Sequence, residues 1–524
     1  MTDELLLGVD VGTASTKGVL ATPAGEIVAQ HETPHELSVP RPGWAEHDAE
    51  RSWWGDFVAV CRTLLAGGRG GAVRAVGVSG IGPCFCPADA SGRPLRPAIL
   101  YGVDTRATAE IEELQELLGR EPILRRTGSA LTSQAVGPKL LWFRRNEPEL
   151  FGRTRYLLSA SSFLVLRLTG EYVLDRHTAS GFNPLYDVQE GAWIDAWCAV
   201  VLGDGGVPLP RPLWASEQAG EVTPDAAAET GLLPGTPVSA GTVDAAAEAL
   251  SVGMRAPGDL MLMYGSTFFL ILVVDRLRPD ERMWGTQYVL PGTANLAAGT
   301  ATAGSVTAWF RSLLDDRHGQ PDFGQLAAAA AETAPGSDGL VVLPYFSGER
   351  TPIHDPLARG LVAGLTLGHT RGHVYRAILE GTAYGVRHIL ETIAELDVPV
   401  ERVVAVGGGV RGGLWPQIVT DIASVEQELP VVTIGASYGD ALLAALAAGV
   451  VPPETRWERR AGLVRPDETR VGRYEELYRI YRSLYHATRA QQHALAAFAE
   501  RSREPSTYAR SPGRPARPGL SQCD

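Results

Sequence analysis

The sequence predicts an α/β protein built from two similar halves. Near the N-terminus, an apolar strand at residues 5–10 runs into a turn of glycine and hydroxyl residues and is followed by a second strand. The same order of strand, glycine–hydroxyl turn and strand returns at residues 260–271. A further apolar run, residues 403–406, ends in consecutive glycines. Because a chain of 524 residues is too long for one core, we expect two domains with a duplicated architecture.

Weaker signals place other elements along the chain. Short apolar runs at residues 5–10, 18–21 and 26–30, with a Pro-Ala-Gly turn before the last, predict an N-terminal β-meander. Residues 73–79 form another candidate for a buried strand. Apolar residues at helical spacing predict helices over residues 107–119, 374–396 and 437–449, and a helix that carries Trp309 and Phe310.

The two halves suggest one domain over residues 1–250 and a second over residues 251–500. The remaining segment, residues 501–524, is rich in arginine, proline and serine, and its only aromatic residue is Tyr508. Such a composition cannot bury enough apolar surface to fold, so we expect a disordered basic tail. A role for this tail in docking is the alternative.

Composition and charge exclude several classes of protein. A total of 47 basic and 60 acidic residues gives a net charge of −13, which disfavours a general nucleic-acid binder. The five cysteines are scattered, as in a reducing compartment without a disulfide framework. The N-terminus lacks the basic start of a signal peptide, and the longest apolar run, residues 441–451, is shorter than the roughly 20 residues of a membrane span. We therefore expect a cytoplasmic protein without membrane or nucleic-acid partners.

Three glycine-rich turns are candidates for binding phosphate groups. Backbone amides in such turns can surround phosphate oxygens, and ligands of α/β folds bind beyond the carboxyl ends of the strands. The first turn is not a Walker A loop, because the glycine before its lysine is missing. Three such turns on separate strands can close around one polyphosphate. The candidate nucleotide-binding residues are Gly12, Thr13, Ser15, Lys17, Ser266, Thr267, Gly304, Gly408 and Gly409.

Two carboxylates accompany these turns. Asp10 lies at the end of the first strand, where it could hold Mg²⁺ or serve as a plain turn residue. Asp244 opens an alanine-rich helix and has no bulky neighbour to block a substrate. It could stabilise the helix N-terminus through the macrodipole, or it could accept the proton of an attacking hydroxyl group. Together, the turns and the carboxylates indicate phosphoryl transfer to a small hydroxylated molecule.

The chain also resembles the FGGY family of carbohydrate kinases over residues 5–490, and most of all the xylulokinase-like members of that family. The matching segments, in chain order, are Gly8-Val9-Asp10-Val11-Gly12-Thr13, Arg41-Pro42-Gly43-Trp44 with Trp53-Trp54, Gly137-Pro138-Lys139-Leu140-Leu141-Trp142, Ser347-Gly348-Glu349-Arg350-Thr351-Pro352, Gly364-Leu365-Thr366 with Ala377-Ile378-Leu379-Glu380-Gly381, and Gly407-Gly408-Gly409-Val410-Arg411. Because the matches follow one another in the family's order, a chance resemblance is negligible.

The resemblance implies two actin-like, ribonuclease-H-like domains with the active site in the cleft between them. It makes Asp244 the catalytic base and Asp10 the carboxylate near Mg²⁺. The candidate residues of the first two turns then bind the phosphates of ATP, and Gly304, Gly408 and Gly409 line the nucleotide cleft. Closure of this cleft around sugar and ATP would exclude water and limit wasteful hydrolysis.

The sugar side departs from the xylulokinase pattern. Its Gln-Met-His-Gly segment is replaced by Ile81-Gly82-Pro83-Cys84, and its Asp-Asn pair at the base is Asp244-Ala245, so a histidine and an amide are lost. Because a pocket binds poorly when buried sugar hydroxyls find no partner, these changes put D-xylulose in doubt. We expect Asp104 and Arg106 to be the remaining polar contacts, with Gly82 and Pro83 beside the substrate. The alternative is that Asp104 and Arg106 form only a surface ion pair.

We therefore predict an enzyme, a carbohydrate kinase that uses ATP and Mg²⁺ to phosphorylate a primary hydroxyl of a small sugar. A pentulose such as xylulose is the favoured acceptor, and a hexulose, a tetritol or a glycerol-like polyol is the alternative. Two other classes stay open. One is an actin- or Hsp70-type ATP switch that needs no sugar, and the other is a degenerate relative that binds sugar as a regulator. A homodimer is left open as the assembly.

Overall fold

The computed structural model describes residues 4–314 and 319–503 of the chain. Within this part, the predicted α/β architecture is confirmed: each half contains one large sheet of seven strands, flanked by helices. The last helix ends at Arg503. The tail predicted for residues 501–524 therefore begins as helix, and residues 504–524 lie outside the described residues.

The elements are numbered in chain order. The strands of the first half are β1 (Leu5–Val11), β2 (Ser15–Ala21), β3 (Ile27–Pro34), β4 (Glu46–His47), β5 (Val73–Gly80), β6 (Cys86–Ala88), β7 (Ala98–Ile99), β8 (Tyr156–Leu158), β9 (Val173–Asp175), β10 (Tyr186–Asp187), β11 (Ala192–Trp193), β12 (Arg211–Leu213), β13 (Gln218–Glu221), β14 (Pro237–Ser239) and β15 (Thr242–Val243). Its helices are α1 (Asp56–Leu64), α2 (Thr108–Leu118), α3 (Arg120–Thr127), α4 (Val136–Asn146), α5 (Pro148–Arg153), α6 (Ala160–Thr169), α7 (Arg176–Ser180), α8 (Asp195–Leu202), α9 (Pro224–Thr230) and α10 (Asp244–Ser251).

The second half continues the same numbering. Its strands are β16 (Asp259–Tyr264), β17 (Phe268–Val274), β18 (Trp284–Gln287), β19 (Ala294–Gly299), β20 (Val341–Leu343), β21 (Leu361–Ala363), β22 (Arg402–Val406), β23 (Gln427–Pro430) and β24 (Arg460–Val464). Its helices are α11 (Gly304–Ser312), α12 (Phe323–Ala331), α13 (Arg371–Ala394), α14 (Leu414–Ala423), α15 (Ala436–Ala447) and α16 (Glu468–Arg503).

The two large sheets repeat one plan. In the first sheet, β1, β2 and β3 form the predicted antiparallel meander, and β5 lies parallel to β1 on its other side. In the second sheet, β16, β17 and β19 are antiparallel neighbours, and β22 lies parallel to β16 on its other side. The strand orders are β13-β14-β5-β1-β2-β3, with β15 also paired to β5, and β18-β19-β17-β16-β22-β23-β24. The duplication expected from the sequence is therefore present in the architecture.

Helices α10 and α15 pack together between the halves, and α15 lies directly on β1 and β5. Glycines permit this approach: a Cβ added at Gly8 would lie 1.9 Å from the Ser437 carbonyl oxygen, and one at Gly77 would lie 1.9 Å from that of Asp440. A Cβ at Gly439 would lie 1.9 Å from the Ala247 carbonyl oxygen. Although α15 belongs to the second half in sequence, it thus covers one face of the first sheet.

The hydrophobic core follows this layout. Leu7 and Val9 pack with Phe57 and Phe163 of helices α1 and α6 on one face of the first sheet. On the other face, Leu6 joins a core that contains residues of α10, α15 and the second sheet, so it holds the two halves together. None of the helices in the described part of the chain has the length and apolar character needed to cross a bilayer.

Candidate active site

Asp10 lies in a row of polar side chains on three neighbouring strands. The register places Asp10 of β1 beside Lys17 of β2 on one side and Ser79 of β5 on the other. Residues paired in this way project from the same face of a sheet. The Ser79 hydroxyl lies 2.9 Å from Oδ1 of Asp10 and 2.7 Å from Oδ2 of Asp440, which α15 brings to the same face.

The position of Ser79 fixes the protons of this group. A hydroxyl donates only one hydrogen bond, so Ser79 cannot donate to two ionised carboxylates. Asp440 is fully buried, and burial together with the charge of Asp10 raises its pKa well above the ordinary value. Asp440 is therefore the protonated partner: it donates to the Ser79 oxygen, and Ser79 donates to Asp10.

Asp244 is held close to this row by β15. That strand pairs with β5, with Thr242 opposite Ser79, and Asp244 is the first residue of the helix that follows. Its Oδ1 accepts a hydrogen bond of 2.7 Å from the amide of Ala245. Burial, followed by the charge of Asp10, raises the pKa of Asp244 well above its ordinary value. Once ionised, such a carboxylate is a stronger proton acceptor than an ordinary aspartate.

Two further acids share this environment with little positive charge to balance them. Burial raises the pKa of Asp10 to about 6, although the hydrogen bond from Ser79 and the charge of Lys17 oppose this shift. Burial and the charge of Asp10 raise the pKa of Glu248, one turn along α10 from Asp244, to about 7. The acidic side chains of this group outnumber the basic ones beside them, which are Lys17 and, in the cavity wall, Arg350, so the group favours the approach of a cation.

The second hairpin turn is supported by α11 and by the glycines after β22. The amide of Ala303 donates to the Ser266 carbonyl at 2.8 Å, and the amide of Gly304 donates to that of Gly265 at 3.0 Å. A Cβ at Gly304 would lie 2.5 Å from the Gly265 carbonyl oxygen, so the helix can approach the turn only with glycine there. Gly409 packs against Tyr264 and Trp415, whereas a Cβ at Gly408 would meet nothing within 4 Å. Gly408 thus faces open space beside the turn.

A cavity of about 590 Å³ lies between the two halves. Asp244, Gly82 and Pro83 line it from the first half, and Ser266 and Thr267 line it from the second. The sequence-predicted base, two predicted sugar-side residues and two predicted phosphate-binding residues therefore share one space. The size of the cavity is typical of small-molecule sites.

The remaining nucleotide candidates lie beside this cavity and do not line it. Gly12 closes the first turn through its amide, which donates to the Ser15 carbonyl at 2.9 Å. The Thr13 hydroxyl lies 3.5 Å from that of Tyr101. Ser15 and Lys17 both contact Glu32 of β3, at 2.6 Å and 3.7 Å. The hydroxyl of Ser15 is therefore already engaged within the protein.

Asp104 and Arg106, which we expected to contact the sugar, are not among the residues that line the cavity. Both side chains are fully buried. Arg106 lies 2.7 Å from Asp104 and 2.8 Å from Glu46, and its guanidinium stacks 3.8 Å from the Trp44 ring centroid. Asp104 also accepts a 2.7 Å hydrogen bond from the Ala45 amide. The pair consequently braces its own loop, and it is not the exposed surface pair of the alternative either.

Sequence reasoning missed Ser79, Asp440 and Glu248. Asp440 carried a usable signal, since it is the only charged residue within α15 and charged residues are rarely buried without a reason. Ser79 lies at the end of a strand that was predicted, but its partners are 69 and 361 residues away in the chain. Nothing local in the sequence reveals those two contacts.

Comparisons with known proteins agree with the fold. The model of the FGGY family of carbohydrate kinases matches the chain in two parts, its N-terminal domain over residues 5–251 and its C-terminal domain over residues 260–448. The xylulose kinase of Escherichia coli (strain K12) is 31% identical over 497 residues, which span 92% of this chain and 98% of that protein. The ribulokinase of Geobacillus thermodenitrificans (strain NG80-2) is 28% identical over 546 residues, which span 93% of this chain and 94% of that protein. Among solved structures, the xylulose kinase from Rhodospirillum rubrum superposes with a TM-score of 0.87 at 32% identity, over 94% of this chain and 100% of that chain.

Proposed function

The chain belongs to the FGGY family of carbohydrate kinases, and on this premise we propose that it transfers the γ-phosphoryl group of ATP to a primary hydroxyl of a small ketose, with a pentulose such as xylulose as the favoured acceptor. The observation that carries the proposal is the shared cavity, which Asp244 lines from one half and Ser266 and Thr267 line from the other. The family membership favours this function over an ATP switch that needs no sugar.

In the proposed reaction, Asp244 is the general base. The acceptor hydroxyl gives its proton to the Asp244 carboxylate while its oxygen bonds to the γ-phosphorus, and the bond from that phosphorus to the bridging oxygen of ADP breaks. The hydrogen bond from the Ala245 amide holds one carboxylate oxygen and leaves the other free to face the acceptor. Because phosphoryl transfer depends mainly on positioning and charge stabilisation, few other protein groups are needed.

We assign the phosphates of ATP to the two hairpin turns. Ser266 and Thr267 line the cavity and carry hydroxyls, and the turn at Gly12 and Thr13 follows directly after Asp10. The amide of Gly12 would have to leave the Ser15 carbonyl before it binds a phosphate. Ser15 and Lys17 stay in this proposal, although each would have to release Glu32 before it contacts a phosphate. Gly304, Gly408 and Gly409 lie on the nucleotide side, where the open space at Gly408 leaves room for the adenosine group.

Magnesium fits the site as an ion shared with the nucleotide. Among the described residues, no three histidine, cysteine, aspartate or glutamate side chains are placed to hold a metal ion by themselves. Mg²⁺ is commonly held by one or two carboxylates together with phosphates and water, so Asp10 and its acidic neighbours suit it. When bound, the ion would favour the ionised carboxylates and so oppose the rise in pKa that burial causes at Asp10 and Asp244.

The acceptor follows from what surrounds Asp244. Pro83 and Ala245 line the cavity where the xylulokinase pattern carries a histidine and an asparagine, and Gly82 beside them has no side chain, so this edge offers no side-chain hydrogen bond to a sugar. A pentulose still fits if its other hydroxyls find partners elsewhere in the cavity. A hexulose, a tetritol or a glycerol-like polyol remains the alternative acceptor.

A coupled ADP-release assay with ATP and Mg²⁺ tests this function across ketoses and polyols, including D-xylulose, D-ribulose, erythritol and glycerol. We expect ADP formation that depends on the added acceptor and is strongest with a pentulose. Equal ADP release without any acceptor would support the switch instead. Sugar binding with no ADP release for any acceptor would support the regulator.

We further propose a domain division at residue 250, a cytoplasmic location and a homodimeric assembly. Light scattering of the purified chain tests the last of them, with a mass of twice 55.9 kDa as the expected result.

A further inference from the structure

The cavity has a polar corner beside α7 and β18. His177 of α7 and Thr286 of β18 line this corner, and Asn295 of β19 lies buried in its wall. Three neighbouring contacts join them: His177 Nδ1 lies 2.9 Å from the Gln287 carbonyl oxygen and 3.3 Å from the Thr286 hydroxyl, and that hydroxyl lies 2.7 Å from Asn295 Oδ1. The corner is therefore built by both halves of the chain.

The direction of these hydrogen bonds follows from the acceptor at one end. A backbone carbonyl only accepts, so Nδ1 of His177 carries the hydrogen. Thr286 accepts from the same nitrogen and donates its own hydrogen to Asn295 Oδ1. Burial lowers the pKa of His177 to about 4, so the ring is neutral and its Nε2 is an acceptor. The chain of bonds also turns the amide nitrogen of Asn295 away from Thr286.

Two buried amides at the cavity are left with an unused polar atom. Nδ2 of Asn295 donates to no protein atom, and Oδ1 of Asn183 accepts from none, although both residues line the cavity and are almost fully buried. The other end of Asn183 is fixed by a 2.9 Å hydrogen bond to the Ser129 carbonyl. Buried polar atoms without partners are rare in native proteins, because each costs free energy that a partner recovers.

The sheet order places this corner on the side opposite the adenosine loop. In the second sheet, β22 and its glycines lie on one side of β16, whereas β17, β19 and β18 follow in turn on the other. Helix α7 joins the corner to the base, because Asp175 at its start accepts hydrogen bonds from Thr178 and from Thr242, two residues before Asp244. Phe269 and Trp284 contribute apolar side chains to the lining of the same cavity.

We infer that His177, Asn183 and Asn295 form a distal subsite that binds the hydroxyls of an acceptor whose reacting end lies at Asp244. This inference rests on the proposed kinase function and names its substrate class: an open-chain ketose or polyol of four or more carbons with hydroxyls at the end remote from the reacting carbon. The amide of Asn295 donates to one such oxygen, while Nε2 of His177 and Oδ1 of Asn183 accept hydroxyl hydrogens. The subsite takes over the recognition that Pro83 and Ala245 cannot supply.

The test compares Asn295→Leu with the wild type in steady-state kinetics. Leucine keeps the approximate volume of the side chain and removes its polar end. We expect KM for the best pentulose acceptor to rise by about 10- to 100-fold, because a buried hydrogen bond to the sugar is lost. KM for ATP should not change, and neither should KM for glycerol, which is too short to reach both ends. His177→Phe provides a second variant with the same expected pattern, should the leucine variant not fold.

Tyr186→Phe is the matched control. Its hydroxyl donates to Gln287 Oε1 at 2.8 Å, so it joins the same two halves, but Tyr186 does not line the cavity. If Tyr186→Phe raises the pentulose KM as much as Asn295→Leu does, the effect belongs to the contact between the halves and the inference is overturned. It is also overturned if both cavity variants keep the wild-type KM. A wild type that phosphorylates no acceptor would instead remove the proposed function itself.

Discussion

The first hairpin, β1–β2, and the second, β16–β17, take equivalent places in their sheets, each with a parallel strand beside it and a turn at the cleft. Counted back from the turn glycine, Asp10 corresponds to Met263. The register pairs Asp10 with Lys17 in the first hairpin and Met263 with Phe269 in the second. One hairpin thus contributes charged side chains to the cleft and the other contributes apolar side chains. The two hairpins share one backbone arrangement and differ in the side chains that they carry at equivalent positions.

The same contrast appears one step deeper in each sheet. Gly8 lies beside Gly77 in the first sheet, and the corresponding pair in the second sheet is Met261 and Val404. The glycines let α15 touch the first sheet with its backbone, which brings Asp440 next to Ser79. The larger pair fills the facing surface with side chains. The acidic group therefore depends on a close approach that only one of the two sheets allows.

The largest expected effect comes from Asp244, the first residue of α10, whose carboxyl lies near Asp10 of the first hairpin. Asp244→Asn keeps the shape of the side chain and removes the proton acceptor, so kcat should fall by about 10²- to 10⁴-fold. Binding of ATP, measured by calorimetry, should be unchanged because the turns are intact. Wild-type turnover in this variant would show that another group takes the proton.

Alanine at equivalent positions of the two sheets should destabilise the protein for opposite reasons. In Gly8→Ala the new Cβ would lie 1.9 Å from a backbone oxygen, so we expect overpacking to cost about 1–3 kcal/mol. Met261→Ala leaves a cavity in the core between the halves and should cost about 2–5 kcal/mol. Thermal unfolding measures both.

Gly472→Ala is the control for the glycine variant. Gly472 lies in α16, and a Cβ there would meet nothing within 4 Å. Alanine is the better helix former, so the melting temperature should rise slightly. If Gly8→Ala also leaves the melting temperature unchanged or raises it, the result contradicts the tight packing of α15 on β1.

The pH dependence of activity should report the acidic group around Asp10 of the first hairpin. Burial raises the pKa of Asp10 to about 6 and raises the pKa of Asp244 well above its ordinary value. Because the base acts in its ionised form, kcat/KM should rise as the pH increases through and above 6. The stability of the ligand-free protein should change in the opposite direction: its free energy of unfolding should fall as the pH rises. Acids whose pKa is raised on folding stabilise the fold below their unfolded pKa and lose that contribution as pH rises through the folded value. For Asp10 and Glu248 this window runs from about pH 4 to about pH 7.

These profiles are measured from pH 5 to pH 9 with a kinetic assay and with thermal unfolding. A kcat/KM that is flat across this range would contradict the raised pKa values of the acidic group. The variant Asp440→Asn sharpens the result, because an amide can still donate to Ser79 and cannot ionise, so its activity should stay close to that of the wild type.

The smallest effect is expected at the second hairpin turn. Ser266→Ala removes one hydroxyl from the proposed phosphate site, and we expect KM for ATP to rise about tenfold with little change in kcat. Ser312→Ala is the matched control, since its hydroxyl donates to Trp309 on an exposed part of α11. An unchanged KM for ATP in Ser266→Ala would remove this hydroxyl from the nucleotide site.

The sequence allowed prediction of the elements that depend on local signals. The two hairpins, the strand before Gly407 and the helix that starts at Asp244 follow from apolar runs beside glycine turns, and the structure contains all of them. The contacts among Ser79, Asp10 and Asp440 could not be predicted, because they need α15 to cross from one half to the other. Asp104 and Arg106 were assigned to the sugar since a charged loop looks the same whether it faces a ligand or its own ion pair.

The most direct test of the central claim is a crystal structure with the best acceptor and a non-hydrolysable ATP analogue. We predict the primary hydroxyl oxygen of the acceptor within about 2.6–3.2 Å of an Asp244 carboxylate oxygen, with the γ-phosphate at the turn of Ser266 and Thr267. An acceptor bound in this cavity with its primary hydroxyl turned away from Asp244, or a nucleotide bound in a separate cavity, would contradict the account.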